Sequence, residues 1–129
     1  MITQARGLAS GIGNVKFEIA DAEDLPFEDG AFTAVLCSNS FHHYPNPARA
    51  VREMARVLVV GGRLVIGDAC ADLATARFAD LVLRRLEPGH VRLYRSSELG
   101  SFLFRAGLSR LMLRKLSRGG FAIVRGIKP

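Results

Sequence analysis

Residues 32–68 read FTAVLCSNSFHHYPNPARAVREMARVLVVGGRLVIGD, and this stretch decides the fold. It opens on FTAVLCS, a short run that is nearly all apolar. Such a run, closed by polar turn residues, is the pattern of a strand buried on both faces of a parallel sheet. RLVIG at 63–67 repeats the pattern. Between the two runs, Asn46 is a good N-cap and Pro47 suits a first helical turn. Val51, Met54, Ala55 and Leu58 then fall on one helical stripe. Gly61-Gly62 supplies the exit into the next strand. Strand, helix, strand in that order is a βαβ unit, and it predicts an α/β fold.

The flanks extend the pattern. VKFEI at 15–19 alternates apolar and charged residues, which predicts a half-exposed strand. Before it, residues 2–10 read as a short helix that turns out at Gly11-Ile12-Gly13. After residue 68, Asp72 is placed to cap a helix over 73–86 with Phe78, Leu81, Val82 and Leu86 as its apolar face. Pro88-Gly89 ends it. Ser96 is placed to cap another helix, with Leu99, Phe102, Leu103 and Ala106 as its stripe and Gly107 as its stop. Two strand-like runs at 109–116 and 121–126, joined over residues 117–120, read as an antiparallel hairpin. The expectation is one domain over residues 1–129, with about five strands and helices on both faces of the sheet.

Composition narrows the class. An apolar fraction of 49% with 23% charged residues is that of a packed domain, not a disordered chain. No apolar run approaches the ~18 residues of a membrane helix. With no secretory signal pattern, Cys37 and Cys70 read as buried thiols, and the expected compartment is the cytoplasm. The net charge is +6, unevenly spread: from residue 84 onward eleven Lys and Arg face only Glu87 and Glu98. Such a half can bind nucleic acid or an acidic partner, but no zinc-finger spacing or RNA-binding aromatic signature accompanies it. Against this trend, six of the twelve acidic residues crowd into EIADAEDLPFEDG at 18–30.

Open α/β sheets bind ligands beyond the carboxyl ends of their parallel strands. Three such ends carry short polar groups: Asp21-Ala22, Ser38-Asn39-Ser40 and Gly67-Asp68. Each could equally be a plain turn cap.

Together, A-x-x-LPF-x-DG-x-F at 22–32, HH-Y-P-x-P at 42–47 and R-V-L-x-x-GGRL at 56–64 resemble the second half of class I S-adenosylmethionine-dependent methyltransferases. The likeness is to the ubiquinone and menaquinone biosynthesis group. The tail is similar too: HVRLYRSSELGSFLFRAGLS looks like that group's penultimate helix and FAIVRGIKP like its last strand. The resemblance implies a truncated Rossmann-like methyltransferase fold, corresponding to about the C-terminal two-thirds of the family's. It implies S-adenosylmethionine as cofactor and a small-molecule acceptor.

It also implies roles. Asp21 and the backbone of Ala22 would read adenine, a carboxylate accepting from the exocyclic amine while an amide meets a ring nitrogen. Glu28 and Asp29 would be solvated turn residues. Ser38 and Asn39 would border the methionine moiety. His42, His43 and Tyr44 would face the reacting methyl or the substrate, with one of the adjacent histidines able to act as a base. His90 and Arg92 would lie near the acceptor. No metal site is expected.

Two departures from the family pattern stand out. The glycine-rich cofactor turn and the acidic residue that holds the ribose are missing, and Thr33 replaces a usual acidic residue. On this reading the chain begins at the family's second crossover helix, and 32–38 becomes an unpaired apolar edge. Either 15–19 or another chain would cover it, which predicts a homo-oligomer or a complementing chain. A non-catalytic remnant acting in binding or assembly, and a binder of nucleic acid or acidic partners through the Arg-rich half, are the alternative functions.

Overall fold

The computed structural model describes residues 2–116 and 120–129. Helix α1 spans Ile2–Leu8 and strand β1 Phe32–Ser38. A 3-10 turn at Phe41–His43 leads to helix α2, Pro47–Arg56, and strand β2, Leu58–Ala69. Helices α3, Ala74–Leu86, and α4, Ser96–Arg105, follow, and strands β3, Ser109–Leu116, and β4, Phe121–Ile127, complete the chain. The turn expected over 117–120 lies, apart from Gly120, outside the described residues.

The α/β class and the βαβ unit are as the sequence predicts. β1 runs parallel to β2, with Leu36 opposite Val65 and Ser38 opposite Gly67. β4 joins the other side of β2 antiparallel, and β3 pairs with β4, so the order is β1-β2-β4-β3. Asn46 caps α2 by accepting from the Arg49 amide at 3.1 Å, and Pro47 opens the helix. Val51, Met54 and Ala55 are buried, and Leu58 of the same stripe is fully buried at the start of β2. They meet Leu64, Ile66, Val124, Leu99 and Leu103 in one core between the sheet and helices α2 and α4.

The structure corrects four expectations. Residues 15–19 form no ladder; the sheet has four strands, and Ile19 is 84% exposed. Alternation alone does not hold a strand whose edge has no partner. The packed helices, α2 and α4, cover one face of the sheet rather than both. The presumed apolar face of α3 is open, with Phe78 70% and Leu86 74% exposed. Finally, Asp72 and Ser96 do not cap their helices. Instead they bond to each other: the Ser96 hydroxyl and amide both donate to the Asp72 carboxylate, at 2.7 and 2.9 Å.

β1 has one hydrogen-bonded neighbour among the described residues. Its other edge is bare and apolar, with Leu36 72% exposed. A Cβ at Gly126 of β4 would meet the Leu108 side chain at 2.9 Å and that of Leu103 on α4 at 3.3 Å, so glycine permits this close packing.

Candidate functional site

The βαβ unit sets the site at the carboxyl ends of β1 and β2. Because Ser38 pairs with Gly67, the chain leaves both strands side by side. The Asn39 amide donates to the Gly67 carbonyl at 2.9 Å, and Asn39 turns at φ +48°, a left-handed conformation that asparagine tolerates. That turn throws residues 41–43 back across the end of β2. Phe41, fully buried, anchors them edge-on against Tyr44, Tyr94 and Phe102.

His42 thereby reaches Asp68. Its ring Nδ1 lies 2.7 Å from Asp68 Oδ1, and its backbone amide donates to Oδ2 at 3.1 Å. The carboxylate is 2% exposed and the imidazole 16%. In the tautomer that donates Nδ1–H to this acceptor, Nε2 is the ring nitrogen left to accept a proton. A histidine held in this way by a carboxylate can take part in proton transfer at a reacting group. The sequence marks Asp68 only as a polar strand end; its role emerges from the register between β1 and β2.

The other two histidines join it. His43 Nδ1 lies 2.8 Å from the Gly89 carbonyl oxygen, and the His42 and His43 rings are 4.0 Å apart. The two adjacent rings therefore share one cluster instead of diverging. The His90 ring lies 5.4 Å from that of His42, and the Val91 and Arg92 amides donate to the His42 carbonyl. His90 is buried, with Nε2 2.8 Å from Asp80 Oδ1 and no hydrogen-bond partner at Nδ1 among the described residues. Asp80 also accepts from Arg84 and from the Leu93 amide. Burial works against its charge, but His90, Leu93 and Arg84 outweigh it and hold its carboxyl below the usual range. No group of three or more His, Cys, Asp or Glu among the described residues is arranged to hold a metal ion.

Tyr44 faces inward. Its hydroxyl lies 3.2 Å from Ser40 Oγ and 3.5 Å from Cys37 Sγ. Burial pushes the Tyr44 phenol up to about 12, so it stays neutral at pH 7. Burial likewise raises the Cys37 thiol. Both cysteines are buried, as expected. Arg92 pairs with Glu98 at 2.7 Å and lies over the Tyr94 ring.

The acidic stretch resolves into separate tasks. Asp21 is exposed, and its Oδ1 accepts the Glu23 amide at 2.9 Å in a tight turn. Ala22 packs on the core. Glu23 accepts the Asn46 amide. Asp29, expected to be merely solvated, pairs with Arg56 at 2.8 Å. The same guanidinium donates to the Leu25 and Phe27 carbonyls and to Glu53, whose other contact is the Leu25 amide. Arg56 thus pins the 25–29 loop to α2. The Arg56-Val57-Leu58 motif carried that signal, unread. Ser38 and Asn39 lie exposed at the strand end, near the turn that carries His42.

The chain is similar to known proteins in sequence and in fold. The methyltransferase domain family matches residues 1–66. The uncharacterized methyltransferase YcgJ of Bacillus subtilis is 39% identical over 64% of this chain and 33% of its own length. Its crystal structure superposes with a TM-score of 0.82 at 23% identity, covering 99% of this chain and 78% of that one. The demethylmenaquinone methyltransferase of Clavibacter sepedonicus is 32% identical over all of this chain and 61% of its own. The ubiquinone/menaquinone biosynthesis C-methyltransferase UbiE of Pseudomonas putida (strain GB-1) is 31% identical over 96% of this chain and 55% of its own.

The chain belongs to the class I S-adenosylmethionine-dependent methyltransferases. It spans about a third of the YcgJ sequence and under two thirds of the other two relatives.

Proposed function

We propose that this chain supplies the acceptor side of an S-adenosylmethionine-dependent methyl transfer to a small molecule, with His42 as its proton acceptor. The observation that carries this reading is the two-point hold of Asp68 on His42. Bound cofactor supplies an electrophilic methyl group. The acceptor atom that takes the methyl must lose a proton, and His42 Nε2 can receive it. Asp68 fixes the ring's orientation through Nδ1. Most of the rate in such a transfer comes from alignment in a dry pocket, so the fixed 3-10 turn matters as much as the base. His43 and His90 would wall the acceptor, and Arg92 would lie near it.

The cofactor's adenine falls to Asp21 and Ala22 on this reading. The donor set fits: Asp21 Oδ1 is held in its turn, while Oδ2 makes no hydrogen bond among the described residues and faces solvent. Ser38 and Asn39 would border the methionine end. The missing ribose carboxylate and glycine-rich turn make binding by the chain alone weak. Calorimetry with S-adenosylmethionine tests this. Asp21→Ala should weaken whatever binding is seen by about 1–3 kcal/mol, the range of a charge-assisted bond. Glu28→Ala, at an exposed residue, should leave it unchanged. Equal losses in both variants would mean that the acidic stretch acts only through its overall field.

A second reading, a binding or assembly module, is favoured by the bare β1 edge, which invites a second copy or a complementing chain.

A further inference from the structure

Between α3 and the segment leading into α4 lies an open cleft of about 890 Å³. Arg77, Arg84, Arg92 and Arg95 line it, together with the apolar side chains of Phe78 and Leu81. Two of the four guanidinium groups are neutralised within the cleft wall, Arg84 by Asp80 at 2.6 Å and Arg92 by Glu98 at 2.7 Å. Both carboxylates are further occupied, Asp80 by His90 and the Leu93 amide, Glu98 by the Arg95 amide. Arg77 and Arg95 have no carboxylate within ion-pairing distance among the described residues. The cleft therefore holds a surplus of two positive charges beside apolar surface left open to water, Phe78 being 70% and Leu81 50% exposed.

We propose that this cleft binds a small amphiphilic anion: a carboxylate, phosphate or sulfate carried on an aromatic or aliphatic body. An unpaired guanidinium group in the cleft can hold a planar or tetrahedral oxyanion by paired N–H donors. Phe78 and Leu81 remove the body from water, and Phe78 offers a ring face to an aromatic one. The size falls in the range of small-molecule sites. A polyanion such as nucleic acid would use the charges and leave the apolar wall wet. An uncharged apolar ligand would bury the surplus charge. Charge and apolar surface are complementary together to one class of ligand. Binding here requires neither the cofactor nor His42, so it stands or falls separately from the methyl-transfer reading.

The test uses 1-naphthyl phosphate as probe, with 1-naphthol and inorganic phosphate as its two halves, each titrated into the whole chain by calorimetry. The phosphate ester should bind at least tenfold more tightly than either half. Arg77→Gln combined with Arg95→Gln should weaken it at least tenfold, and Phe78→Ser severalfold, at unchanged far-ultraviolet circular dichroism and melting temperature. Arg105→Gln, an exposed charge on α4 outside the cleft, should leave binding unchanged. Equal affinity for inorganic phosphate and the ester would overturn the proposal, as would the Arg105 change weakening the ester as much as the cleft changes. Binding confined to phosphatidylglycerol vesicles, with none of soluble ester, would also overturn it and make α3 a membrane-surface helix instead.

Discussion

Asp68 holds His42 at two points, the ring Nδ1 at 2.7 Å and the backbone amide at 3.1 Å, across 26 residues of sequence. The pairing exists because β1 and β2 end in register and Asn39 turns the chain back over β2. If Asp68 orients the ring, Asp68→Ala should leave the His42 amide and Nδ1 without their acceptor. We expect a loss of about 1–3 kcal/mol in denaturant unfolding for a buried group left unpaired. Asp68→Asn keeps one carbonyl acceptor and should recover part of the loss. Equal stability of both variants and the parent would show that the pair is incidental.

Arg56 has a similar organising role at the 25–29 loop. It ties Leu25, Phe27 and Asp29 to α2. Arg56→Lys keeps the charge but not the fork of donors. Amide exchange at Leu25 and Gly30 should accelerate strongly while core amides of β2 stay protected. Unchanged exchange at both residues would mean that the loop is held by its own apolar contacts.

Asp72 joins three elements, accepting from Ser96 at the start of α4 and pairing with Lys115 of β3 at 2.7 Å. Burial opposes its charge, but the bonds from Lys115 and Ser96 outweigh this and hold its carboxyl down to about 2, from 3.8. The folded value is depressed, so the stabilisation is fully present above the unfolded value and lost as pH falls from about 4 through about 2. Its size is about 2 kcal/mol at neutral pH. Asp72→Asn should therefore lower the melting temperature at pH 7 and converge with the parent near pH 2. A gap that stays constant over that range would remove the ionic explanation.

The bare β1 edge predicts self-association. Sedimentation at micromolar concentration should show a dimer or larger species, and Leu36→Lys, which places a charge on an exposed edge position, should shift it toward monomer. A parent chain that sediments cleanly as a monomer contradicts this.

Much of this was legible in the sequence, and the failures have physical causes. The βαβ unit, the α2 cap and the final hairpin strands follow from local pattern because each pairs with a neighbour in the same chain, although β1 and β3 keep much of their apolar surface exposed. Residues 15–19 and the α3 face carry equally clear patterns, yet both lie open, since pattern reports what a segment could bury and not whether anything lies against it. The site divides the same way. His42, His43 and His90 could be named from motifs, but their gathering, and the roles of Asp68 and Arg56, depend on strand register and on a return of the chain from the 89–92 segment.

The most direct test of the central claim is transfer of labelled methyl from S-adenosylmethionine to a panel of small hydroxylated and quinone acceptors, demethylmenaquinone among them, by the parent chain and by His42→Gln. At cofactor concentrations that offset the weak binding expected of the chain alone, the account predicts labelled product from the parent and a rate lower by roughly 10²–10⁴-fold in the variant, the usual contribution of a positioned base. No product from the parent, or an undiminished rate in His42→Gln, would contradict it.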